Sequence, residues 1–174
     1  MSGARSSGAP RALANLAGPA VLAALAVLAG AGCERRVEIL GVGPWKLGKT
    51  TRKDATGICQ PTELPDGRAG TWCFRQPPFG IGKKAAEVDL YFAGTSDEAP
   101  LIELQLKVRG CNEDDIEAWL RQHFGAATEH RGTRAYWRTS RMFLAAFLPQ
   151  DPGRCVLRML PLSEGSEIER IKLL

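Results

Sequence analysis

The chain has few of the side chains that perform chemistry. Its 174 residues include two histidines, His123 and His130. The first falls on the apolar side of a helical pattern and the second sits between Glu129 and Arg131 in a polar stretch. Neither has a partner in the sequence that would make a general base or a metal site. Neither Ser163 nor Ser166 lies in a G-x-S-x-G turn, so a serine elbow is absent at both. No C-x-x-C pair occurs, and Cys59, Cys73, Cys111 and Cys155 are spaced unlike a zinc ribbon. The adjacent acids Asp114 and Asp115 fit a helix start, where carboxylates meet the positive end of the dipole. Charge of one sign is also lacking: 23 basic residues face 19 acidic ones. That balance gives no basis for binding nucleic acid or a broad anionic surface. No cofactor and no metal is called for.

The N-terminal part is unlike the rest. Arg5 and Arg11 precede an uncharged run from Leu13 to Gly32, rich in Ala, Leu, Val and Gly, that closes on Ala29-Gly30-Ala31-Gly32-Cys33. A positive start, an apolar middle and small residues before a cut are the parts of a secretory signal. The cysteine directly after them resembles the lipobox of bacterial lipoproteins. That resemblance implies cleavage before Cys33, acylation of its thiol, and an exported, periplasm-facing protein held by lipid, at the outer membrane if Glu34 acts as the sorting residue. The alternative is a retained transmembrane anchor, since about twenty apolar residues span a bilayer. Removing residues 1–32 takes away Arg5 and Arg11, lowers the formal charge from +4 to +2, and leaves four cysteines besides Cys33. An even number in an oxidising compartment reads as disulfides. Of the three possible pairings, Cys59–Cys73 and Cys111–Cys155 are preferred, one closing a local loop and one tying a helix start to a late strand. Each would contribute ~2–4 kcal/mol.

The mature chain reads as a lipid-anchored tether over 33–46 and one α+β domain over 47–174. Within it a helix–strand–strand–strand order is expected twice, over 47–110 and 111–162, with a tail at 163–174. The sheet should be antiparallel, with helices packed on one face. Thr50 to Gly57 suits a short capped helix. Pro- and Gly-rich loops follow at 60–70 and 76–84, around a strand at Gly70 to Phe74. Val88, Leu90 and Phe92 alternate with polar neighbours, and Ile102, Leu104, Leu106 and Val108 do so across a turn at Thr95 to Pro100. Asn112 can cap a second helix that buries Ile116, Trp119, Leu120 and His123 and stops at Gly125. Strands at Ala135 to Trp137, Met142 to Leu148 and Cys155 to Leu160 complete the second unit. The tail from Ser166 is either a short helix or a last strand.

Leu47-Gly48-Lys49-Thr50, and His123-Phe124-Gly125 followed by Trp137, resemble the small envelope lipoproteins of the SmpA/OmlA type and the tandem domains of β-lactamase-inhibitor proteins. The resemblance implies a protein that binds other proteins, without enzymatic activity and without any contact residue that can be carried over.

Two stretches propose sites. Gly43 to Thr50 fits G-x-x-x-x-G-K-[ST], the loop whose amides cradle phosphates, and supports a nucleotide-binder alternative in which Lys49 meets the phosphates. A short apolar stretch, Val37 to Val42, could be the strand before it. Arg131, Arg134, Arg138 and Arg141 surround Tyr136 and Trp137. On a strand Arg134, Tyr136 and Arg138 share a face, and arginine beside exposed aromatic surface suits an envelope protein partner or an anionic lipid headgroup. The function expected is an exported, lipid-anchored, non-catalytic binding or scaffolding module, with Arg134, Tyr136, Arg138 and Arg141 as its contact surface.

Overall fold

A computed structural model describes residues 40–151 and 153–174. The signal-like segment, Cys33 and most of the expected tether lie outside those residues. A hairpin opens the fold: β1 (Gly41–Val42) and β2 (Trp45–Lys46) pair antiparallel, and Val42 and Trp45 are buried. The folded domain therefore begins before Leu47. A single 3-10 turn, Arg52–Asp54, stands where a short helix is expected over Thr50 to Gly57. The amides that a helix would turn back on itself go elsewhere. Arg52 N donates to Ala99 O and Lys53 N to Asp97 O, both at 3.0 Å. The Asp54 carboxylate accepts from the Thr51 amide and hydroxyl at 2.8 and 2.9 Å, closing the turn at once.

Everything else serves one antiparallel sheet of nine strands. Its strands are β3 (Ile58–Glu63), β4 (Ala69–Phe74), β5 (Phe79–Ile81), β6 (Lys84–Phe92), β7 (Leu101–Arg109), β8 (Glu129–Arg131), β9 (Arg134–Arg138), β10 (Met142–Asp151) and β11 (Arg154–Pro161). They lie in the order β3-β4-β6-β7-β11-β10-β9-β8, with β5 also on β6. The architecture is thus mixed but dominated by the sheet. The expected repeat is corrected: the first half is a meander of β3 to β7 in which β4 and β5 share one side of β6, the second a meander of β8 to β11, the two are joined where β7 meets β11, and an α-helix opens only the second half. The Pro- and Gly-rich stretch at 60–70 is largely strand. Cys59 and Cys73 face each other with Cα atoms 4.0 Å apart, the spacing of a pair that does not exchange hydrogen bonds. Pro61, two residues on, faces the same way, so its missing N–H points off the free edge. That proline and the three-residue length of β8 blunt the two sheet edges.

Two helices cover opposite faces, where one common face is expected. The first, α1 (Glu113–Phe124), is capped by Asn112, whose side chain accepts from Asp115 N at 3.2 Å, and ends at Gly125 with φ +79. Its Ile116, Trp119 and Leu120 join Val88, Leu90, Leu104, Leu106, Val108, Leu157 and the β1–β2 hairpin in the larger core. His123 stays outside it, exposed, with its ring stacked 4.2 Å from that of Trp119. The tail is a helix, α2 (Gly165–Leu173), and it lays Ile168 and Ile171 on Tyr136, Phe143, Phe147 and Leu160 of the other face. Alternation along β6 and β7 falls as expected, with one slip. The register shifts between Tyr91 and Phe92, so Leu101, fully buried, takes the core place expected of Ile102. Cys59–Cys73 and Cys111–Cys155 are the two cysteine pairs at bonding distance, with Cα separations of 4.0 and 5.9 Å.

Candidate functional site

The second meander is closed on both faces, by α1 and α2. The first is covered only on the α1 side. On its other face Trp72, Phe74 and Tyr91 stand half-buried beside an ionic ladder. Trp72 lies against Phe74 with ring centroids 4.6 Å apart and runs nearly parallel to Tyr91, at 10° and 6.3 Å. Burial, then the charges of Glu103 and Asp89, push the Tyr91 phenol up to about 12, against the opposing Arg158.

A break in the ladder opens this face into a recess. Cys73 opposes Leu90 and Phe79 opposes Ala86, so the five residues from Phe74 to Pro78 face only the three from Glu87 to Asp89. The surplus backbone bows outward as a wide bulge. Arg75 at its start holds a left-handed φ of +55, a conformation that costs a non-glycine residue on the order of 1 kcal/mol. Its guanidinium carbon sits 6.0 Å over the Phe74 ring. Buried Gln76 pins the bulge: Oε1 accepts from Thr56 N at 3.1 Å, and Nε2 donates to Phe74 O at 3.5 Å. Gly57 lets the chain pass here, since a Cβ there would lie 2.0 Å from Phe74 O.

The recess has a volume of about 410 Å³. Trp72, Phe74 and Pro78 form its walls. Its floor holds Asp89, 5% exposed, with Lys107 Nζ 2.5 Å from the carboxylate. Glu87, which also lines the recess, pairs with Arg109 at 2.9 Å. The buried indole N–H of Trp72 has no hydrogen-bond partner among the described residues. The lining side chains include no serine, cysteine or histidine. The lining offers aromatic surface, one guanidinium beside it, and an ion pair at the bottom.

The residues expected to form a site are not brought together. Arg134 donates to the Leu174 backbone oxygen and lies over Phe147, with 5.7 Å to the ring centroid. Tyr136 is 2% exposed beneath α2 and Trp137 6%, so the exposed aromatic surface expected beside the arginines is absent. Nor is β9 an edge, since β8 lies outside it. Arg131 pairs with Glu129, while Arg138 and Arg141 are exposed at the other end of β9. The Gly43 to Thr50 stretch is a hairpin and a turn. Its amides at Gly48, Lys49 and Thr50 donate to Leu101 O and Lys46 O at 2.8–3.1 Å. Thr50 Oγ1 accepts from Lys46 N at 2.7 Å. No α-helix follows, and the amides a phosphate cradle needs are already bound. Among the described residues no cluster of three or more His, Cys, Asp or Glu side chains could hold a metal ion. No helix among them is long and apolar enough to cross a membrane.

Reasoning from sequence missed the recess, although Gln76 and Pro78 come from the loop expected at 76–84. Two signals pointed to it. Glu87, Asp89 and Tyr91 form the polar side of a strand whose other side is fully apolar, and Pro77-Pro78 interrupts its neighbour. Compared with protein families, curated proteins and solved structures, the chain matches none.

Proposed function

We propose that this chain is an exported envelope protein, lipid-anchored at Cys33, that works as a non-catalytic binding module, and that its protein partner engages the open half-face at the Arg75 bulge. One observation carries the reading. A non-glycine residue is held in a strained conformation beside a half-buried aromatic wall, on the face of the first half that α1 does not cover. Strain of this kind persists where the surroundings enforce it, and an open aromatic surface next to it is where a partner would gain most. The signal-like segment ending at Cys33 and the even cysteine pairing support export.

The test is a photo-crosslinking residue placed at exposed Ala85, on the recess, in the natively expressed protein. A discrete protein adduct is expected from this position and not from the exposed Gln60 on β3, and Phe74→Ser should remove it. Equal labelling from both positions, or none from Ala85, defeats the assignment.

A further inference from the structure

We infer that the partner meets the Arg75 recess with an acidic segment: a stretch of extended chain whose apolar side chains lie on Trp72 and Phe74 while a neighbouring Asp or Glu carboxylate takes the Arg75 guanidinium. This rests on the binding reading above and names the chemistry of what binds.

The acceptors of the recess are already engaged. Asp89 accepts from Lys107, and Glu87 pairs with Arg109. Gln76 Oε1 accepts from Thr56 N. The polar groups left over are donors. Exposed Arg75 pairs with no carboxylate among the described residues, and its guanidinium carbon is held 6.0 Å over the Phe74 ring. A guanidinium resting on a ring keeps its N–H fork for a carboxylate, which it can meet with two parallel hydrogen bonds. The Trp72 indole N–H behind it also lacks a partner among the described residues. Lys83, exposed in the turn between β5 and β6, adds a second cation with no ion pair among them. Spare donors without spare acceptors suit a ligand that brings acceptors and negative charge. Arg75 also occupies a place where glycine would hold the φ of +55 without strain. Its charge is thus set beside the wall at some cost, and the described fold makes no ion pair with it.

The apolar surface gives the shape. Ile58, 47% exposed, faces Phe74 across β3 and β4, and Trp72 faces Tyr91 across β4 and β6. That surface crosses three strands, about 10 Å, the span of about three extended residues. Such a segment lays alternate side chains on the wall and brings a carboxylate to the Phe74 end, where Arg75 stands.

The experiment selects short random peptides displayed on phage against the full chain purified from membranes in detergent. Enriched sequences are expected to carry Asp or Glu beside aromatic, aliphatic or proline residues. In a synthetic copy of the strongest binder, changing the carboxylates to amides should weaken binding about ten-fold. Arg75→Gln, at an exposed residue, should weaken the acidic peptide by the same factor and leave the amide peptide unchanged, so that the two losses do not add. Arg75→Lys should recover only part of the loss, because the fork is gone. Basic or neutral binders, or an Arg75→Gln loss equal for both peptides, overturn the inference. Displacement by free glutamate or inorganic phosphate at the peptide's own concentration would show a small-anion site and overturn it too. Selection of no peptide while the Ala85 adduct persists defeats the acidic segment alone; loss of the Ala85 adduct defeats the binding face and this inference with it.

Discussion

Replacing Arg158 with methionine tests how α2 is held to the sheet. Arg158 is 11% exposed at its side chain. It bonds through Nε to Glu103 at 2.6 Å and through Nη2 to Glu167 of α2 at 2.7 Å, and those carboxylates are 7% and 8% exposed. Arg170 adds two contacts to Glu167, at 2.6 and 2.7 Å, but from a half-exposed position. Removing one partner of a buried pair leaves charge without compensation and costs about 3–5 kcal/mol, a large share of the ~5–15 kcal/mol of a whole domain. Arg158→Met should lose that much at neutral pH in urea unfolding followed by tryptophan fluorescence. Adding Glu103→Gln and Glu167→Gln should restore most of it, because neutral amides need no counter-charge. The pH dependence gives the sign. Burial alone would raise the Glu167 carboxyl, but hydrogen bonds from Arg170 and Arg158 bring it below its ordinary 4.5. In the wild type its contribution is therefore present above that value and lost as pH falls through the lower, folded one. Without Arg158, the Glu167 carboxyl loses one of the partners that lower it while its burial remains, so it titrates higher than in the wild type and the penalty should shrink on acidification. A loss under ~1 kcal/mol at pH 7, or one that grows as pH falls, refutes the view that this cluster is a buried lock.

Mass spectrometry without reductant should show four hydrogens fewer than after reduction, from Cys59–Cys73 and Cys111–Cys155. Loop-closure entropy for separations of 14 and 44 residues gives about 3 and 4 kcal/mol, so paired serine variants should lose stability in that order. Arg75→Gly should leave stability unchanged or raise it by up to ~1 kcal/mol, as the left-handed φ is relieved, while weakening partner recovery; a clear stability loss would show that the guanidinium over Phe74 is structural.

The parts of the fold that could be read in advance are those governed by local rules. Asn112 and Gly125 bound α1 because cap chemistry is short-range, and the alternation from Val88 to Phe92 marks one buried face because strand geometry repeats every two residues. What escaped depends on partners distant in sequence. The amides of Arg52 and Lys53 could form a helix, but the loop around Asp97 to Ala99 takes them. Leu101 and Ile102 are equally apolar, and only the register of β6 against β7 decides which enters the core. Tyr136 looks like surface until α2, whose state could not be chosen, covers it. The candidate site was least legible of all. It arises from a mismatch of five residues against three between strands, and pairing register is a property of two segments together.

The two meanders meet at β7 and β11, yet they are finished differently, and the difference is what the proposed binding surface rests on. Each ends in a helix, but β7 leads into α1, which crosses to the larger core, whereas β11 leads into α2, which folds onto the opposite face. The second half therefore closes over Phe143, Phe147 and Leu160, and its arginines on that side are drawn into holding the helix end. The first half has no helix left to do the same. A bare apolar sheet there would invite aggregation, and the chain meets the exposure with Asp89–Lys107 and Glu87–Arg109 over its inner strands. Toward β4 the ladder gives way to aromatic surface, where Trp72 and Phe74 flank the bulge. Ion pairs over the inner strands and aromatic area gathered at one recess are the division that the proposed recognition of a single partner calls for.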